Sequence, residues 1–205
     1  MAIFNRLSVL FLAGLLFSLP AQAQQWYQVE LVVFEQLNPS SDEQSPVMPP
    51  SDPASVTPQT SNNKIQPARR ESLAGIAERL RNSANYRVLG YHSWQQSAIS
   101  KNASPRVAID GERLSGHIRF YKSSYLHAEL DLWLQDGSQR SAGDAAFQGP
   151  RYPNLKESRR LRSKEVHYFD HPRFGAILQL IPVNTPDAVL ASMQGSESYA
   201  LPESE

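Results

Sequence analysis

The sequence predicts an α+β fold, mainly antiparallel β-sheet with one or two helices, in a single domain. Three observations carry that expectation. Residues 125–134 alternate apolar and polar side chains with strict period two, as a strand with one buried face requires. Residues 68–82 repeat apolar side chains at helical spacing. A helix followed by a run of antiparallel strands argues for one α+β domain, and an ordered part of roughly 120–130 residues suffices for a single core.

The first 23 residues read as an export signal rather than as part of the fold. Arg6 precedes an apolar run from Leu7 to Leu19, and Ala21 and Ala23 have the spacing of a signal-peptidase site. The run is about 13 residues, short of the ~20 that span a bilayer, and no later segment is apolar enough for a membrane span. The processed chain is expected to begin near Gln24 and to reside in the periplasm. The absence of cysteine fits that compartment and closes both disulfide stapling and an acylated N-terminal cysteine.

Gln25 to Phe34, QWYQVELVVF, reads as the first strand, with Tyr27, Val29, Leu31 and Val33 on one face. Residues 38–67 then change character, holding seven of the chain's fifteen prolines and almost no large apolar side chains. Such a stretch cannot bury enough surface to offset its ordering entropy, so it is expected to be a flexible Pro/Ser-rich insertion. In the helix that follows, Leu73, Ile76, Ala77 and Leu80 form one stripe. Tyr86–Gln95 reads as a strand and Arg106–Ile109 as a short one before the Asp110-Gly111 turn.

The hairpin from Arg113 to Leu134 is the clearest element. Leu114, Ile118 and Phe120 share parity with Leu126, Ala128, Leu130, Leu132 and Leu134. With Lys122, Ser123 and Ser124 as the loop, Phe120 pairs with Leu126 and Ile118 with Ala128 inside. Outside, Arg119 then meets His127, His117 meets Glu129, and Arg113 meets Trp133. Residues 136–157 read as a loop or irregular strand, and Ser158–Phe169 and Gly175–Val183 as a final strand pair. The tail from Pro186 to Glu205 is acidic and expected to be disordered.

Twenty Lys+Arg against twenty Asp+Glu leave the chain near neutral, which argues against nucleic acid as a partner. The basic charge is nevertheless concentrated: residues 151–164 hold six Lys or Arg against the single Glu157. On one strand Arg160, Arg162 and Lys164 would form a like-charged ladder about 7 Å apart, better explained if an anion neutralises it. A second candidate is the polar hairpin face with Arg113, His117, Arg119, His127, Glu129, Asp131 and Trp133, where an exposed indole among hydrogen-bonding groups suits a sugar ring. A third is His167, Asp170 and His171, residue types that ligate zinc in hydrolases. Residues four apart on a strand lie about 13 Å apart, too far for one metal unless the Asp-His-Pro turn folds back. No nucleophile motif, phosphate-binding glycine loop or HExxH pair is present, so enzymatic activity is unsupported and no cofactor is expected.

The pieces WYQVELVVFE, YRVLGYHSW, YLHAELDLWL and, most specifically, SRRLRSKEVHYFDHPRFGAILQLIP together resemble the CsiV-type peptidoglycan-binding proteins of gammaproteobacteria. The resemblance covers residues 26–37 and 85–183. It implies a periplasmic, non-enzymatic protein that binds peptidoglycan and supports wall growth and cell shape. It also implies an outer-membrane lipoprotein activator of a penicillin-binding protein as the type of partner. It carries over no ligand residues; Arg160, Arg162, Lys164, Trp133, His127 and Arg119 are the candidates the chemistry selects, with peptidoglycan as their ligand. Two other readings stay open, a metal-dependent hydrolase and a pure protein adaptor that adds a strand to its partner.

Overall fold

The computed structural model describes residues 24–39, 45–49, 64–68, 71–135 and 151–197. The expected signal segment, residues 40–44 and 50–63 of the Pro/Ser insertion, 69–70 of the predicted helix, 136–150 of the polar stretch and 198–205 of the tail lie outside the described residues. The elements are β1 (Trp26–Gln36), β2 (Ile65–Pro67), α1 (Ala74–Arg81), β3 (Tyr86–Ser97), β4 (Val107–Ala108), β5 (Leu114–Lys122), β6 (Leu126–Leu134), β7 (Asn154–Leu161), β8 (Val166–Asp170), β9 (Phe174–Val183) and α2 (Asp187–Glu197).

All strand pairings between these elements are antiparallel, and they build two sheets, one ordered β2-β3-β1-β9-β8 and the other β4-β5-β6-β7. Strand β1 is central and buried on both sides. Its odd residues Tyr27, Val29, Leu31 and Val33 join Leu178 and Leu180 of β9 and Ile118, Phe120, Leu130 and Leu132 of the second sheet in one apolar core. Each such fully buried side chain contributes ~1.5–3 kcal/mol. On the other side of β1, Val32 packs with Leu73 and Ala77, so α1 lies on the face of the five-stranded sheet away from the core. The second sheet therefore has one face in the core and the other toward solvent.

Helix α1 is shorter than the apolar stripe predicted, beginning at Ala74 rather than Ala68. The buried Glu30 carboxylate on β1 accepts hydrogen bonds from the backbone N–H groups of Ser72 (2.9 Å) and Leu73 (2.8 Å), which fixes the chain just ahead of the helix. A carboxylate from another element thus does what a capping side chain usually does.

The β5–β6 register also differs from the expectation. Phe120 faces Ala128 and Ile118 faces Leu130, with Ser123–Tyr125 as the loop. The slip is two residues, which keeps every side chain on its predicted face but changes all partners. Arg119 faces Glu129, His117 faces Asp131, and Ser115 rather than Arg113 faces Trp133.

The predicted strand Ser158–Phe169 is two strands in different sheets. Strand β7 ends at Leu161, the chain turns with Lys164 at φ 68°, and β8 begins at Val166 as the edge of the other sheet. The Lys164 N–H donates to the Leu180 carbonyl at 2.7 Å, which secures this left-handed residue.

Parts of the stretches read as flexible or disordered carry structure. Ile65 is fully buried in β2, which pairs with β3, and Val47 bridges Arg151. The apolar side chain of Ile65 and the ladder bonds of β3 give this end of the Pro/Ser insertion a place in the core. Residues 187–197, expected without structure, form α2: Pro186 opens the helix, accepting from the N–H groups of Val189 (2.9 Å) and Leu190 (3.1 Å), Asp187 complements its N-terminus, and Val189 is buried.

Candidate functional site

The solvent face of the four-stranded sheet carries the chemistry. Alternation along β5, β6 and β7 sends Leu132 with Leu155 and Leu126 with Leu161 to the core, so the intervening residues point outward. They form four rows across the strands: Tyr121, His127 and Arg160; Arg119, Glu129 and Ser158; His117, Asp131 and Lys156; and Ser115, Trp133 and Asn154.

Ring stacking and ion pairs order this surface. The rings of Tyr121 and His127 stack 5.2 Å apart at 9°, and the Arg160 guanidinium lies 3.2 Å from the centre of the Tyr125 ring. Glu129 pairs with Lys101 and accepts from the Tyr121 hydroxyl at 3.3 Å, while Asp131 pairs with Lys156 at 3.1 Å and accepts from Asn154 at 2.9 Å. Burial would raise the Glu129 pKa, but Lys101, Tyr121 and Arg119 together hold it below the usual carboxylate value. Burial lowers the His117 pKa; Asp131 opposes this, and Arg106, Arg119 and Lys156 reinforce it.

Of the six candidate residues, Arg119, His127 and Arg160 come together on this face. The other three do not. Trp133 is only 9% exposed, so its indole is part of the packed structure and offers no open ring for a sugar. Arg162 and Lys164 sit beyond the end of β7: Arg162 pairs with Glu165 at 3.6 Å, and Lys164 occupies the left-handed turn. The expected three-residue ladder is therefore absent, because a turn interrupts the strand it needed.

The histidine cluster is not assembled as a ligand set. His167 Nε2 lies 3.2 Å from the Arg162 N–H and 3.0 Å from its carbonyl, held against the turn. His171 Nδ1 accepts from the Arg173 N–H at 3.1 Å, and its ring packs on Phe174. Asp170 accepts from the Tyr168 hydroxyl at 2.7 Å. Among the described residues no three His, Asp or Glu side chains converge as a metal ion would need.

Sequence reasoning missed Arg106, Tyr125 and Lys156 as members of the platform. Lys156 was legible as part of the basic run, but its place opposite Asp131 depends on a strand start at Asn154. Arg106 stands one residue before β4, on the same side as Ala108, which faces His117. It also missed a second aromatic surface on the other sheet, where Tyr168 stacks at 15° on Phe34 and Tyr86 meets Phe34 edge-on.

Residues 6–183 match the family model described as peptidoglycan-binding protein, CsiV. The chain belongs to the CsiV family. The match runs through every β-strand described above and ends with the last residue of β9, so both sheets of this CsiV-family chain lie inside it. No curated protein and no solved structure matches the chain. Among the described residues no helix is long and apolar enough to cross a membrane.

Proposed function

We propose that this CsiV-family chain is a non-enzymatic peptidoglycan-binding protein of the periplasm, and that the outer face of the β4–β7 sheet is its binding surface. One observation carries the surface assignment: Arg119, His127 and Arg160 occupy adjoining rows on the outer side of one sheet, with the exposed Tyr125 ring of the adjoining loop against the Arg160 guanidinium. Guanidinium and imidazole groups beside an exposed phenol ring suit a polymer of sugars and short acidic peptides. The family supports the ligand, and the signal-like residues 1–23 support the compartment.

Its role, on this reading, is to support wall synthesis and cell shape by linking the wall to an outer-membrane lipoprotein activator of a penicillin-binding protein. Co-sedimentation with purified sacculi stripped of bound protein tests the ligand. The wild type is expected in the pellet and Arg119→Glu/Arg160→Glu in the supernatant. A wild type that stays in the supernatant removes direct wall binding and leaves the adaptor reading; a double variant that still pellets moves the site elsewhere.

A further inference from the structure

The arginines of the two sheets are not equally satisfied. Arg87, Arg113 and Arg159 each have a carboxylate partner. Arg106, Arg119 and Arg160 have none among the described residues. Arg119 is the extreme case, since its Nε is buried and has no hydrogen-bond acceptor there. The carboxylate facing it, Glu129, feels the Arg119 charge but takes its ion pair from Lys101 and a hydrogen bond from Tyr121, and the next one, Asp131, is engaged by Lys156 and Asn154.

The positive charges also crowd one another. Val107 faces Ile118 and Ala108 faces His117. Continuing that register by one residue sets Arg106 opposite Arg119, an arrangement of like charges that costs stability unless an anion lies between them. Arg160, by contrast, is held in place by Tyr125. A guanidinium positioned without a carboxylate is preorganised for one, because its fork of N–H donors matches a carboxylate in bidentate fashion.

Resting on the proposed wall-binding function, we propose that Arg106, Arg119 and Arg160 form a receptor for the carboxylates of the peptidoglycan stem peptide, so that the wall is read through its peptide and not through its glycan. The glycan presents hydroxyl and acetamido groups, and the muramyl lactyl carboxyl is consumed in the amide bond to the peptide. The anionic groups of the polymer are therefore those of the peptide. Arg119 and Arg160 lie two strands and one same-face step apart, about 12 Å from strand spacings. An extended peptide covers that distance in about four residues, so two carboxylates of one stem can reach both sites.

The test compares native sacculi with sacculi whose carboxyl groups have been converted to methylamides by carbodiimide coupling, which leaves the glycan unaltered. Binding is expected to fall at least tenfold on amidation. Arg119→Gln and Arg160→Gln are each expected to weaken binding to native sacculi several-fold while leaving the residual binding to amidated sacculi unchanged. Equal binding to native and amidated sacculi overturns the peptide receptor and leaves wall binding intact, whereas no binding to native sacculi overturns the wall-binding reading itself. Arg160 is exposed, so Arg160→Gln keeps the test decisive if Arg119→Gln fails to fold; full binding by a folded Arg160→Gln counts against the receptor.

Discussion

Arg113 donates two hydrogen bonds to the Glu35 carboxylate, at 2.7 and 3.1 Å, and so joins the lead-in to β5 in one sheet to the end of β1 in the other. Arg87 adds a third contact at 3.2 Å. The Glu35 side chain is only 7% exposed.

Removing Arg113 leaves a nearly buried carboxylate with one exposed partner. Arg113→Ala is expected to lower stability by about 2–3 kcal/mol, less than the full loss for an isolated buried pair because Arg87 remains. Urea unfolding measures it, and Glu35→Gln/Arg113→Ala should recover part of the loss, since no uncompensated charge then stays inside.

Glu30 predicts an acid limb in the stability profile. Burial would raise its pKa, but hydrogen bonds from Leu73, Tyr91, Ser72 and Gln28 outweigh this and hold it below the ordinary value. A carboxylate with a depressed folded pKa stabilises the fold above its unfolded pKa, and that contribution is lost as pH falls through the folded value. Glu30→Gln should therefore cost about 2–3 kcal/mol at neutral pH and make stability below about pH 4.5 less dependent on pH. An unchanged acid slope in chemical denaturation series would count against this role.

Trp133 separates packing from binding. Trp133→Ala is expected to cost about 3–5 kcal/mol, whereas the folded fraction keeps its affinity for sacculi. Loss of affinity at full folding would return the indole to the binding surface.

Gly116 holds β5 against β6. It stands at φ 138°, and a Cβ there would lie 2.1 Å from the Asp131 carbonyl oxygen and 2.9 Å from the Leu132 Cα. Gly116→Ala must push backbone from backbone, so a loss of about 3 kcal/mol or more is expected. Because the shift falls between His117 and Asp131, binding to sacculi should weaken even in the protein that remains folded.

Side-chain parity made the faces of β5 and β6 legible, and it survived the two-residue error in register because parity repeats every two residues. Loop length had to settle the register, and Tyr125, an aromatic residue with strand propensity, lies in the loop. Parity failed for Trp133, which shares the outward side with Glu129 and Asp131 yet is covered. The basic run was legible as a charge but not as a shape. Lys164 has no glycine or asparagine to announce a left-handed turn, so nothing local separated β7 from β8. Arg160 was found, while Arg106 became part of the platform only through tertiary pairing.

The turn at Lys164 has a consequence outside ligand binding. It places β7 and β8 at the margins of two different sheets, where among the described residues neither has a second strand neighbour, the kind of edge to which a strand of another molecule can add. Arg159 spans the two margins, donating to Glu157 on one strand and to the Tyr168 carbonyl, at 2.8 Å, on the other. With Arg160 and Lys164 beside it, and Arg162 paired with Glu165, a second copy approaching edge-on meets a net positive charge identical to its own. The same arginines that invite an anion are thus expected to discourage self-polymerisation, and a chain with this run neutralised should form fibres more readily while keeping its fold.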